Sequence, residues 1–105
     1  MKFYYVYILL CSDGSYYVGV TNSIESRFAR HQSGYNISCY TYSRRPLELK
    51  YLEVFESISS AITREKQIKR WTRRKKEALI NGDLNLLKAL SKSNGSKDNG
   101  STGSP

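Results

Sequence analysis

The period of the hydrophobic positions changes along the chain, and each change marks a new element. Phe3 to Cys11 is an unbroken aromatic and aliphatic run that reads as a strand. Ser12, Asp13, Gly14 and Ser15 are turn residues, and Tyr16 to Thr21 reads as the returning strand of a hairpin. From Ile24 the spacing becomes helical, with Ile24, Arg27, Phe28 and His31 on one face, N-caps offered by Thr21, Asn22 or Ser23, and Gly34 as the C-terminal stop. Tyr35 to Arg45 is a polar loop rich in tyrosine, closed by Pro46, and Leu47 to Phe55 reads as a third strand.

Ser57, Ser59 or Ser60 then caps a long helical region reaching about Asn81, in which Trp71 and the basic residues around it mark a bend. Gly82 and Asp83 stop that region and cap a last short helix from Leu84 to about Leu90. The order β-β-α-β-α-α predicts an α/β fold of the α+β kind, a small three-stranded sheet flanked by helices. Residues 91–105 are rich in Ser, Gly, Asn and Lys and hold no apolar side chain other than Gly and Pro, which predicts a disordered polar tail after a single domain spanning 1–90.

Two polar intrusions break the hydrophobic pattern. Glu65 lies three residues after Ile62 and three before Ile68, which places a carboxylate in the apolar stripe that also holds Ile58 and Ala61. Arg27 and His31 do the same on the earlier helix. Charge aimed at a core is costly unless it is paired or binds a metal, so these helices point to a site rather than a plain interior. A buried structural bridge between Glu65 and Arg27 is the competing reading.

Charge adds a partner class. The chain carries a net +8, and between Arg64 and Lys76 eight cationic residues stand against one acid, Glu65. Such a block suits a polyanion, with a solvated helix face as the plain alternative. An anionic membrane is the weaker partner, because no wide Leu/Phe face opposes the charges, and no stretch is long enough to span a bilayer. Trp71 reads as a core anchor before a base-stacking platform. With two cysteines, Cys11 and Cys39, and one histidine, a zinc site lacks ligands. Both thiols are expected reduced, in a cytoplasmic protein, and the Phe3–Cys11 run lacks the cleavage pattern of a signal peptide.

The hairpin carries Tyr5-Val6-Tyr7 on its first strand and Tyr17-Val18-Gly19 on its second. Taken in order with Arg27, His31 and Glu65, these residues resemble the GIY-YIG nuclease family, above all its short stand-alone bacterial members. The resemblance covers about Lys2 to Ile80, including Tyr40-Thr41, Arg44-Arg45-Pro46 and the basic stretch from Glu65. Tyr5 stands where the family's first motif glycine would be, and Val6 and Val18 replace isoleucines. Several members also carry a late asparagine, whose nearest candidate here is Asn81.

What the resemblance implies is a divalent-metal-dependent DNA endonuclease, structure-directed or single-strand-directed, of the kind found in DNA repair. Tyr7 would be the general base or water-positioning group, Arg27 a fork for phosphate oxygens, and Tyr17 and His31 orienting groups. Glu65 would hold one Mg²⁺ or Mn²⁺ together with waters and the substrate phosphate. A tyrosine near its ordinary pKa of about 10 is a poor base, so that role asks Arg27 and the metal to depress it. Arg44, Arg45, Lys66, Lys69, Arg70, Arg73 and Arg74 are candidate contacts to the DNA backbone, and the protein is expected to act as a monomer. A nucleic-acid-binding or partner-recruiting module with little turnover is the alternative, and a basic helix for protein partners a third.

The hairpin supplies a geometric test. A two-residue turn at Asp13-Gly14 would pair Tyr7 with Val20 and send Tyr7 and Tyr17 to opposite faces. A shared site therefore predicts a three-residue loop or a bulge.

Overall fold

The computed structural model describes residues 2–95. The chain forms two compact units, the first ending at Glu65 and the second beginning at Lys66. Strands β1 (Tyr4–Leu10), β2 (Tyr16–Thr21) and β3 (Glu48–Phe55) make one antiparallel sheet in the order β2-β1-β3. Helix α1 (Ile24–Ser33) follows the hairpin, and α2 (Ile58–Lys69) follows β3.

The β1–β2 turn is the odd one that a shared face requires. Cys11 N–H donates to Ser15 C=O at 2.8 Å and Gly14 N–H to Cys11 C=O at 2.9 Å, enclosing three loop residues. Gly14 takes φ 85°, the left-handed conformation that closes such a loop with a bulge. Tyr7 therefore pairs with Gly19 and Leu9 with Tyr17, so both motif tyrosines project from the same face.

That face carries the first unit's core, where Tyr7, Leu9, Cys11 and Leu47 are buried and Tyr17, Ile24 and Phe28 pack against them. The helical face read from the sequence of α1 thus meets the odd-numbered side of β1, and Cys11 is the small core residue expected. The Gln32 side chain fixes the join by pairing with Leu47, accepting from its N–H at 2.8 Å and donating to its C=O at 2.9 Å. Gly34 ends α1 with φ 70°. Val6 and Ile8 point to the opposite face, where Arg64 of α2 pairs with Glu53, the register partner of Val6, at 3.0 Å. On β3, Leu49, Leu52 and Val54 remain exposed.

The α2 stripe is narrower than its sequence suggests. Ala61, Glu65 and Ile68 are buried, whereas Ile58 and Ile62 are 45% and 37% exposed. The inward positions therefore run i, i+4, i+7, with Glu65 in the middle.

The long helical region expected to Asn81 is two helices. After α2 the chain breaks at Arg70–Thr72 and restarts as α3 (Arg73–Ile80). No Gly or Pro marks the break. Thr72 makes it, adopting extended backbone and accepting from Lys75 N–H at 3.2 Å as an N-cap. Within the second unit Lys75, Ala78 and Leu79 are the buried residues of α3, and the Lys75 ammonium lies 4.4 Å from the centre of the half-buried Trp71 ring. Asn81 is the exposed C-cap of α3.

Gly82 and Asp83 make the turn foreseen, with Asp83 Oδ1 accepting from Leu86 N–H at 3.1 Å. Helix α4 (Leu84–Gly95) runs past Leu90 into the segment expected as a tail, since residues 91–94 include neither Gly nor Pro. Residues 96–105 of that expected tail lie outside the described residues.

Candidate active site

The polar side chains of α1 meet the tyrosines of the hairpin on the core face of the sheet. Arg27 and His31 are separated by one helical turn, so both lean toward β1 and β2. His31 is 3% exposed and Tyr7 is fully covered. The Tyr7 hydroxyl and His31 Nε2 are hydrogen-bonded at 3.1 Å. The Arg27 guanidinium lies near enough to the Tyr7 oxygen to pull its pKa downward. Tyr17 closes the group, its ring 6.3 Å from Tyr7 and 5.2 Å from His31, edge-on to the imidazole.

Gly19 makes this arrangement possible in a way the sequence did not disclose. It lies opposite Tyr7 in the register, and a Cβ there would collide with the Tyr7 hydroxyl and its ring carbon. The glycine leaves room for a tyrosine of the same sheet, rather than for an approaching substrate backbone.

Electrostatics fix both central groups in their neutral forms. Burial, helped by the neighbouring Tyr17, pushes Tyr7 up to about 12, against an opposing pull from Arg27. Burial, and then the Arg27 charge, holds His31 below its ordinary value. Near pH 7 the centre is thus a phenol and an uncharged imidazole under a guanidinium.

The loop after α1 contributes side chains that no hydrophobic period could reveal. Thr41 is 1% exposed, and its hydroxyl is 2.8 Å from His31 Nδ1. Cys39 Sγ lies 3.4 Å from the same hydroxyl. Tyr40 stacks on Tyr17, with 6.0 Å between centroids and 22° between planes, and donates to Ser15 Oγ at 2.9 Å. Their one sequence clue is the Tyr40-Thr41 pair within the stretch that carries the family resemblance.

Arg44 and Arg45, candidate phosphate contacts, hold this loop in place. Arg44 pairs with Asp13 at 3.0 Å, donates to Tyr40 C=O at 2.7 Å, and lies 3.8 Å from the centre of the Tyr40 ring. Arg45 donates to the carbonyls of Tyr42 and Gln32. The other candidates, Lys66, Lys69, Arg70, Arg73 and Arg74, are exposed in the second unit, where Arg73 pairs with Glu77 at 3.1 Å.

Four of the five expected site residues, Tyr7, Tyr17, Arg27 and His31, thus converge. Glu65, the fifth, is 8% exposed on α2, one residue after the Arg64 that reaches the opposite sheet face. Among the described residues, no group of three or more His, Cys, Asp or Glu side chains is placed to hold a metal. A single carboxylate such as Glu65 would leave the rest of a Mg²⁺ shell to waters and phosphate. Both cysteines are free thiols.

A hairpin pairing two tyrosines over a glycine, faced by an Arg and a His from the next helix, is the arrangement the family resemblance implies. Residues 3–78 match the GIY-YIG catalytic domain, and the chain belongs to the GIY-YIG family. Within it, the chain is 49% identical over 76 residues to a UPF0213 protein of Syntrophus aciditrophicus (strain SB), covering 72% of this chain and 87% of that one. A UPF0213 protein of Bacillus pumilus (strain SAFR-032) is 44% identical over 77 residues, covering 73% and 78%. The solution structure of a UPF0213 protein from Bacillus halodurans shares the fold, with a TM-score of 0.50 and 40% identity over 75% of this chain and 83% of that one. That of an E. faecalis protein gives 0.56 and 39% over 78% and 86%. Among the described residues no helix is long and apolar enough to cross a membrane.

Proposed function

We propose that this chain is a divalent-metal-dependent DNA endonuclease that hydrolyses phosphodiester bonds in branched or single-stranded DNA. The observation that carries the reading is the hydrogen-bonded Tyr7–His31 pair, with the Arg27 charge beside it and Tyr17 against it. Phosphodiester hydrolysis needs a group to accept a proton from water and fixed positive charge for the developing phosphorane. Arg27, half-buried near Tyr7 and His31, supplies the second. A phosphate oxygen held by this guanidinium would lie beside the Tyr7 hydroxyl.

Tyr7 then acts without becoming a free phenolate. It accepts the proton of the attacking water as it passes its own to His31 Nε2, which leaves a phenol and an imidazolium; as the scissile P–O bond breaks, the leaving oxygen takes a proton from solvent and the imidazolium later returns its own to water. With its pKa raised to about 12 in the free protein, Tyr7 keeps its proton near neutral pH, and the concerted transfer avoids a free phenolate. Glu65 is the proposed ligand for one Mg²⁺ or Mn²⁺, which when bound supplies charge neutralisation at the scissile phosphate. The exposed Lys66, Lys69, Arg70, Arg73 and Arg74 hold the DNA by its backbone.

A binding module with little turnover is the second reading. It is favoured by the complete burial of Tyr7 and by the attachment of α2 to the sheet face opposite that tyrosine. Incubating labelled single-stranded, flap and branched DNA with the protein separates the two. Cleavage that needs Mg²⁺ or Mn²⁺, and is lost in Arg27→Ala and Glu65→Ala while binding persists, supports the nuclease. Salt-sensitive binding without cleavage on any substrate supports the module.

A further inference from the structure

We propose that Thr41 is the positioning residue that sets the His31 tautomer, holding Nε2 bare toward Tyr7 by accepting the Nδ1 proton. The inference rests on the nuclease reading for its catalytic consequence, though not for its geometry. Three observations carry it. Thr41 is buried at 1% exposure in a loop, where a hydroxyl must be satisfied by protein. Its oxygen lies 2.8 Å from His31 Nδ1. The other ring nitrogen is 3.1 Å from a fully covered phenol.

The directions of these bonds follow from donor supply. A fully covered phenol must place its one proton on a neighbouring acceptor. The phenol keeps its own proton, and the acceptor beside it is His31 Nε2. An uncharged imidazole that accepts at Nε2 must carry its proton on Nδ1, and that proton is directed at Thr41 Oγ1. The threonine hydroxyl in turn faces Cys39 Sγ at 3.4 Å. Tyr7, His31 and Thr41 thus repeat the logic of a reacting group, its base and an orienting third member.

The third member here is a neutral hydroxyl. A carboxylate in its place would raise the imidazole's affinity for protons, whereas threonine orients the ring and leaves that affinity low. The groups around the ring are Arg27 on its own helix, Tyr7 and Tyr17 from the hairpin, and Cys39 and Thr41 from the loop.

His31 is the chain's one histidine, so its ring nitrogens give an unambiguous ¹⁵N NMR signal. The wild type is expected to show protonated Nδ1 and bare Nε2, the minority form of imidazole in water. The near-isosteric Thr41→Val should shift the ring toward the Nε2-protonated form and slow single-turnover DNA cleavage about tenfold or more. Thr41→Ser, which keeps the hydroxyl, should restore both.

A wild-type His31 found with Nε2 protonated overturns the proposal, and this needs no variant to fold. A Thr41→Val protein with the tautomer unchanged overturns it equally. If the tautomers behave as expected while no DNA is cut, the positioning role stands and the nuclease reading fails. If DNA is cut and the tautomer ignores Thr41, the reverse holds.

Discussion

Tyr7 and His31 show what burial does to groups that would be ordinary in water. The phenol is driven upward and the imidazole downward, so both are uncharged and joined by a hydrogen bond between neutral partners. Each shift has a consequence for stability. Because the folded chain holds His31 below its unfolded value of about 6.5, the unfolded chain binds that proton first, and stability falls as the pH drops through this region. Urea midpoints near pH 7.5 and pH 5.5 should therefore differ less in His31→Gln than in the wild type. Tyr7 acts at the other end, contributing stability below its ordinary value of 10.0 and losing it as the pH rises toward about 12. Ultraviolet titration should show late ionisation by Tyr7 in addition to Tyr51, which burial and Glu53 also raise, and Tyr7→Phe should remove only the Tyr7 component. Arg27, His31 and the two tyrosines were legible in the sequence because they broke a hydrophobic period or sat in a known motif. Thr41 and Cys39 were not, since a loop has no period for a buried hydroxyl or thiol to interrupt.

At the scale of elements, the sequence spoke most clearly where turn chemistry and periodicity agreed. The requirement that Tyr7 and Tyr17 share a face demanded an odd loop, and Gly14 at φ 85° provides it. The break between α2 and α3 was obscure because a threonine cap, rather than Gly or Pro, makes it. Thr72→Ala should lower the stability of the second unit by about 1 kcal/mol in urea unfolding, through the lost cap. Gly19 reads as an ordinary motif glycine until the register sets it under the Tyr7 ring. Gly19→Ala should force that ring aside, costing about 1–3 kcal/mol of stability. It should also weaken DNA cleavage more than DNA binding, as judged by comparing cleavage rates at saturating protein.

For the whole molecule, the proposed reaction assigns charge and site to different steps. A chain of net +8 with an exposed basic helix-and-turn segment should bind DNA with steep salt dependence. Replacing Lys66 and Arg70 by Gln should reduce the slope of log affinity against log salt by about 1 per lost phosphate contact, with substrate preference unchanged. The cluster on α1 and the hairpin should govern turnover instead. The most direct test of that division is single-turnover cleavage of labelled branched DNA in Mg²⁺, with wild type, Arg27→Ala and Tyr7→Phe each at saturating protein. The account predicts that wild type cuts and that both variants slow about 100-fold or more at similar saturation. Equal rates in all three, or no cutting by the wild type, would contradict it.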